Sequence, residues 1–405
     1  MAIESIDGAR ALLHGPGGCR KNALALASKS FSRPKERNPE EFMKPYFYGN
    51  PRFPCTYVEA DDYVMGAQKK LIDALKTVGS VNDELLVVIC SSGASIIGDD
   101  ISGAIKEAGL EDRCFSFDKT MEAGTVGEGF DRTIESVIEW QNAAKVPKKD
   151  KTVNLLGISV LMKDWRSAVK DLKHLLELMG IGVLCIPGAG CTLSDLKESV
   201  AASANLVVYP EYCRATAACY EKEHGIPAIV SEDGMPVGFD ATESWIKKVA
   251  AHFGVSPDPA LSAVNEQRRR AAICLMSSRG FSAEGEEFAV RADLSIAYPL
   301  VKWLYSYLSM VPTSVIVTDS GDAAMMSRLE AFLDKIGCRD SLGAPMPLYV
   351  KAFLGDGNST QIEEIKGNVY RGVDICHPSI MRTDFISKPI VGPTGALYIL
   401  DEIMR

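Results

Sequence analysis

The sequence predicts an α/β protein, and three features predict it. Short, continuously apolar runs of strand length alternate along the chain with amphipathic stretches long enough for helices. Strands apolar on both faces, separated by helices of ten or more residues, belong to βαβ units whose parallel sheets are covered on both sides. The 405 residues exceed what one core spans, since single cores stop growing near roughly 250 to 300 residues. Two polar, proline-bearing stretches, "AAKVPKKDKT" (143–152) and "GVSPDPALS" (254–262), then set boundaries that divide the chain into 1–148, 149–258 and 259–405.

The elements follow in order. In the first part "LLVVIC" (85–90) reads as a strand and "DDISGAIKEAG" (99–109) as the helix after it. In the second, "VNLLGISV" (153–160) precedes "DWRSAVKDLKHLLELMG", "IGVLCIPG" (181–188) precedes "TLSDLKESVAAS", and "NLVVYP" (205–210) precedes "CRATAACYEKEHG". The third holds "TSVIVTDSG" (313–321), "PLYVKAFLGDGN" (347–358) and "KPIVGPTGALYILDEIM" (388–404), again strand, turn and helix signals. Three small doubly wound domains place a ligand site in a cleft at the carboxyl ends of strands. The segment 28–54 has no clear period and carries Phe42, Tyr46, Phe47, Tyr48 and Phe53. A long irregular stretch of that kind inside a domain is read as functional or partner-covered, and its aromatics as the centre of a protein interface.

Composition narrows the function. A net charge of -9 argues against nucleic-acid binding, which needs clustered Lys and Arg to displace counterions. No apolar run approaches a membrane span, and the N-terminus lacks the basic start and apolar core of a signal peptide, so the expected location is cytoplasmic. Eleven cysteines, an odd number in a reducing compartment, are not a disulfide framework. Cys114, Cys185, Cys274 and Cys338, in or beside apolar runs, are expected to be small buried hydrophobes.

The chemistry-bearing stretch is "HGPGGC" (14–19). It is neither a phosphate loop, which needs Lys and a hydroxyl after its last glycine, nor a G-x-G-x-x-G fingerprint. What remains is Cys19 presented on a strand-to-helix turn, where a helix N-terminus favours the thiolate that binds metal. Cys55 ends the proline-rich segment and Cys90 ends the strand "LLVVIC", so three thiols fall at loop and strand ends of one domain. Their spacing is too wide for a zinc ribbon or a ferredoxin run, and a shared iron–sulfur site fits them better. Asp99 and Asp100 read as solvated acids at a helix start, while Asp61 and Asp62 are candidates for orienting a docked reductase or a proton path.

These residues carry a family resemblance. "HGPGGC", then "CTYVEADDYVMGAQKKL" and "SSGASIIGDDI", stand in the order found in nitrogenase component 1 and its relatives, which include protochlorophyllide and Ni-sirohydrochlorin reductases. "ANLVVYPEYCRATAACYEKEHGIPAI" (204–229) and the ending "KPIVGPTGALYILDEI" extend the likeness over nearly the whole chain. The resemblance implies three Rossmann-like domains with mainly parallel sheets, pairing with itself or a related subunit, and a 4Fe-4S or larger cluster at the subunit interface. It also implies an iron protein that uses ATP to supply electrons, and a small-molecule substrate, a tetrapyrrole being one candidate. By position, Cys19 matches the first cluster ligand and Cys55 the second. The third position falls on Ser92, with Cys90 two residues earlier, and the softer thiolate of Cys90 is the expected ligand. Where the nitrogenase subunit holding the large metal cofactor has a cysteine, this chain has Tyr209, with Cys213 and Cys219 beyond it as alternatives to plain packing. His377 is a candidate ligand or proton donor. The missing cysteine leaves open a second function, a non-catalytic scaffold for metallocofactor assembly.

Overall fold

The computed structural model describes residues 1–30, 53–80, 85–117, 124–277, 283–379, 382 and 384–405. The first stretch holds β1 (Ala9–His14), α1 (Gly17–Ser30), α2 (Asp62–Met65), α3 (Gln68–Gly79), β2 (Leu85–Cys90), α4 (Ile101–Glu107), β3 (Cys114–Phe117) and α5 (Val126–Gln141). Next come β4 (Lys149–Leu156), α6 (Trp165–Leu178), β5 (Gly182–Cys185), α7 (Leu193–Glu198), β6 (Ala202–Val207), α8 (Arg214–His224), β7 (Ala228–Val230) and α9 (Gly238–Phe253). The last elements are α10 (Asp258–Ser277), β8 (Glu287–Ala292), α11 (Leu294–Leu308), β9 (Val311–Val317), α12 (Ala323–Lys335), β10 (Val350–Asp356), α13 (Gly357–Ile365), β11 (Val369–Cys376) and α14 (Gly392–Met404).

The strands form three sheets, ordered β1-β2-β3, β5-β4-β6-β7 and β11-β10-β8-β9, and every pairing between them is parallel. This is the α/β architecture read from the sequence. Some strand limits differ from the expectation, two of them at strand starts. β4 starts at Lys149, inside the polar stretch taken as a linker, because its exposed first residues still pair with β6. β6 starts at Ala202 rather than Asn205, where small residues bury against the β4 backbone.

By packing, the chain divides into two compact units. One comprises Met1–Asn142 with Gly190–Lys197, the other Ala143–Ala189 with Glu198–Arg405. The smaller unit has its own core of Leu12, Leu71, Leu75, Leu86, Val88 and Ala104 between one sheet and α3 and α4. Residues 190–197 join it through a bridge between Asp7 and Thr192 and the bond from the Gln141 side chain to the Leu193 carbonyl.

In the larger unit two sheets share one continuous core, running from Leu155 and Leu206 to Phe288, Val290 and Leu354. Polar side chains staple these sheets together. Lys163 Nζ, almost wholly buried, bridges Asp374 at 2.9 Å and Asp384 at 2.8 Å. Tyr209 donates its hydroxyl to Asp293 at 2.6 Å. Glu211 accepts from the Ser295 backbone N–H and hydroxyl at the start of α11.

Of the cysteines expected in the interior, Cys114 and Cys185 are buried and Cys338 is partly buried against the core, but Cys274 is exposed. The apolar run "AAICLM" is helical, so only Ala271 and Leu275, four apart, turn inward, and Cys274 lies outside that stripe.

Burial raises the Glu211 carboxyl from an ordinary 4.5 to about 7, against the two Ser295 bonds that lower it. A carboxyl raised in the folded state holds its proton between the two values, so stability falls as pH climbs from about 4.5 to about 7 and stays lowered above that. The full effect is on the order of 3 kcal/mol. Glu211→Gln keeps an acceptor and a donor for Ser295 and removes the charge, so urea unfolding between pH 5 and 8 should show a flatter stability profile than wild type. Parallel profiles would contradict this assignment.

Candidate metal-binding thiols around the end of β1

β1 ends at His14, and the chain turns through Gly15 and Pro16 into α1. A side chain at position 15 would strike the Ser91 hydroxyl, its Cβ lying 2.5 Å from that oxygen, so the turn requires glycine. Pro16, with no N–H to satisfy, sits just before the helix, and its carbonyl accepts from the Cys19 N–H at 3.1 Å. Cys19 is thus held in the first turn of α1 and is exposed.

The two neighbours of β1 bring up the other thiols. On one side β2 pairs with it in register, with His14 opposite Cys90. Elsewhere along β1, the 54–58 segment runs parallel to its end. Leu13 donates to the Pro54 carbonyl, Thr56 donates to that of Leu13, and Val58 to that of Gly15. Around the end of β1, Cys55 therefore lies opposite Leu13, Cys90 opposite His14, and Cys19 in the first turn of the helix that follows. Phe53 and Tyr57, on either side of Cys55, have φ of 57° and 54°. Left-handed backbone at bulky residues costs on the order of 1 kcal/mol or more each, and such strain gathers at functional sites.

The Cys55 Sγ–H donates to the Gly15 carbonyl at 3.1 Å, and the Tyr57 N–H donates to the sulfur at 3.4 Å. Burial pushes the Cys55 thiol up, and the nearby Cys19 adds to this, while the Tyr57 and Thr56 amides and Arg20 act the other way. A bound cation would reverse the balance, because a metal ion stabilises the thiolate. Cys90 is half-buried at the end of β2, and Ser92 is exposed in the turn that follows. No disulfide joins these thiols. Among the described residues, no three His, Cys, Asp or Glu side chains form a metal-holding group by themselves. The donor set is soft and open, suited to a thiolate-bound cluster that takes further ligands from elsewhere.

Beneath the thiols lies a pair that sequence reasoning missed. His14, 1% exposed, places Nδ1 3.0 Å from the Thr56 hydroxyl and Nε2 3.0 Å from Asp99. Asp99 is therefore not the solvated helix acid that the sequence suggests. It is turned inward and also accepts from the Ala67 N–H, while Asp100 alone caps α4 by accepting from Gly103. Gly66, at φ 88°, lets the backbone reach Asp99 closely. A signal was present in the histidine of "HGPGGC", one residue before the turn. Asp62 pairs with Lys70 at 2.7 Å, which with the Glu59 N–H lowers its carboxyl, and Asp61 precedes α2.

The interface aromatics fare unevenly. Phe42, Tyr46, Phe47 and Tyr48 lie outside the described residues. Phe53 is buried at 4% exposure, with its carbonyl taken by Arg20, so its ring is not on the surface of this chain. Exposed apolar side chains nearby are Tyr57, Tyr63, Val64, Met65 and Ile96. In the larger unit, Tyr209 is buried, and Cys213 and Cys219 pack in the interior, as plain packing of that helix implies. His377 follows β11, half-buried.

Three parallel sheets, each of them flanked by helices, define the class of protein, a multi-sheet α/β fold. The model of the family described as nitrogenase component 1 type oxidoreductase matches residues 1–405, and the chain belongs to that family. It is similar to the nitrogenase molybdenum-iron protein beta chain of Methanococcus maripaludis, 22% identical across 99% of this chain and 90% of that one. It also resembles a subunit of the light-independent protochlorophyllide reductase of Methylobacterium sp. (strain 4-46), 27% identical over 52% of this chain and 42% of the relative. A solved structure of nitrogenase Cp1 at pH 6.5 has the same fold, with a TM-score of 0.77 over 99% of this chain and 89% of that one at 17% identity. No helix among the described residues is long and apolar enough to cross a membrane.

Exposure and hydrogen bonding set an order of thiol reactivity. Brief iodoacetamide treatment of the iron-free chain, read by peptide mass mapping, should label Cys19 and Cys274 first and Cys55 at least about tenfold more slowly. Labelling of Cys55 as fast as Cys19 would contradict the buried, carbonyl-bonded thiol.

Proposed function

We propose that this chain is the iron–sulfur-carrying, component-1-type subunit of an ATP-dependent, low-potential reductase. The observation that supports the reading is the placement of Cys19, Cys55 and Cys90 on three backbone segments around the end of β1. Thiolates are the ligands iron–sulfur clusters use, and a 4Fe-4S cluster has four irons to ligate. Three thiols leave the set incomplete, so a second copy or a related subunit supplies the rest, with Ser92 the oxygen alternative at the third position. The exposed Tyr57, Tyr63, Val64, Met65 and Ile96, close to these thiols in the same unit, support a partner surface there.

The cluster, when bound, takes up and passes on single electrons at low potential. The chain's own residues prepare for it. Cys55 must give up the proton it now shares with the Gly15 carbonyl, and the Tyr57 N–H already points at its sulfur and would stabilise the thiolate. The electrons come from an iron protein that hydrolyses the ATP. The substrate is a small unsaturated molecule, a tetrapyrrole being one candidate, and the working compartment is the cytoplasm, where thiols stay reduced.

A second reading, a scaffold on which a metallocofactor is assembled and then released, draws on Tyr209. Its hydroxyl is committed to Asp293, and Cys213 and Cys219 are interior, so this region offers no thiolate anchor for a second cofactor. Single turnover with the cognate iron protein and ATP separates the two, since substrate reduction supports the reductase and cluster transfer without reduction supports the scaffold.

Anaerobically purified protein should be brown and contain iron and acid-labile sulfide, and Cys19→Ala should lose iron and weaken dimerisation together. A colourless wild type after reconstitution, or a Cys19→Ala dimer with full iron content, would overturn the proposal.

A further inference from the structure

His14 is buried beneath the thiols at the end of β1. His14 cannot itself be a ligand here, because both ring nitrogens are engaged, Nδ1 with Thr56 and Nε2 with Asp99. Yet it touches every segment that brings a thiol. Thr56 follows Cys55, and its hydroxyl oxygen also accepts from the Gly15 N–H at 3.0 Å. The His14 carbonyl accepts from Ser91, the residue after Cys90, at 2.9 Å. The chain leaving His14 is the turn into α1 that presents Cys19. Asp99 ties this knot to the start of α3 through the Ala67 N–H.

The network assigns the ring's protons. An ionised Asp99 only accepts, so Nε2–H donates to it, and in the neutral imidazole Nδ1 then accepts from the Thr56 hydroxyl, whose oxygen also accepts from the Gly15 N–H. A hydrogen bond to a carboxylate is about twice as strong as one between neutral groups, and in a buried setting it fixes its partners firmly. Strain at Phe53 and Tyr57 persists only where the surroundings hold it, and the Thr56 bonds lie between those two residues.

We infer that His14 and Asp99 are positioning residues of the thiol site, acting through Thr56, Gly15 and Ser91 to set the spacing of Cys19, Cys55 and Cys90. This rests on the proposed cluster role, but the spacing itself is measurable without iron. Cys19 and Cys55 are near enough for the charge of one to act on the other. Phenylarsine oxide bridges two thiols only when they can close on one arsenic, so its rate of capture reports their spacing.

The test uses the full chain in four variants beside wild type. Asp99→Asn removes the carboxylate charge with little change of shape, and Thr56→Val removes the hydroxyl. Thr56→Ser restores the hydroxyl, and Leu75→Ala weakens the same unit's core away from the site. In the iron-free protein, peptide mapping should find arsenical bridging of Cys19 to Cys55 slowed about tenfold in Asp99→Asn and Thr56→Val, the factor carried by one charge-assisted hydrogen bond. Thr56→Ser should recover the wild-type rate, and Leu75→Ala should lower the melting temperature without changing the rate. After reconstitution, Asp99→Asn should give a paramagnetic resonance spectrum of the reduced cluster distinct from that of wild type.

Wild-type rates in both Asp99→Asn and Thr56→Val, or slowing in Leu75→Ala as large as theirs, would overturn the positioning role and leave a merely structural pair. A wild type that takes up no iron overturns the cluster reading instead, while the arsenical rates still decide the positioning claim.

Discussion

The parallel pairing of β1 is the constraint on which the rest of the thiol site depends. β1 is hydrogen-bonded to β2, and its end is also bonded to the 54–58 segment, so the end of β1 is flanked by two parallel segments. Parallel strands point their carboxyl ends the same way, and the loops leaving those ends must share one rim of the sheet. Cysteines 36 and 35 residues apart in the chain, as Cys19, Cys55 and Cys90 are, become neighbours by this route alone. A helical bundle or an antiparallel hairpin would send alternate ends in opposite directions.

The interior below that rim is polar where a plain packing argument expects apolar side chains. His14, Thr56, Ser91 and Asp99 are shielded from solvent, and each has its partners. Buried polar groups are tolerated when satisfied, and a satisfied network selects one arrangement of the backbone over its near alternatives. The smaller unit's apolar core lies between its sheet and α3 and α4 and supplies ordinary stability. The two jobs are divided within one sheet, with aliphatic burial along the strands and polar locking at their ends. The larger unit shows the same division, since its shared apolar core is accompanied by Lys163 with its two aspartates and by Glu211, which accepts from Ser295 of α11.

Much of this is legible in the sequence. Strands apolar on both faces announce parallel sheets, because only doubly covered strands are apolar throughout, and Cys19 on a strand-to-helix turn follows from Gly and Pro ahead of a helical stretch. Strand limits are less legible. Ala202 and Ala204 carry no strong strand signal, and their pairing with β4 is a long-range choice that local composition does not encode. Asp99 escapes a sequence reading for a related reason. Two adjacent acids before a helix look alike in sequence, and only the approach of His14, 85 residues away, decides which one caps and which one is buried. Cys274 is misplaced when an apolar run is read without its helical phase.

The central claim is that Cys19 and Cys55 ligate iron in a cluster completed by a second subunit. Anomalous diffraction at the iron absorption edge, from crystals of the anaerobically reconstituted protein, tests it most directly. The account predicts iron peaks at bonding distance from Sγ of Cys19 and of Cys55, with further ligands arriving from a neighbouring chain. Iron bound elsewhere on the molecule, or a complete cluster ligated within one chain without these two sulfurs, would contradict it.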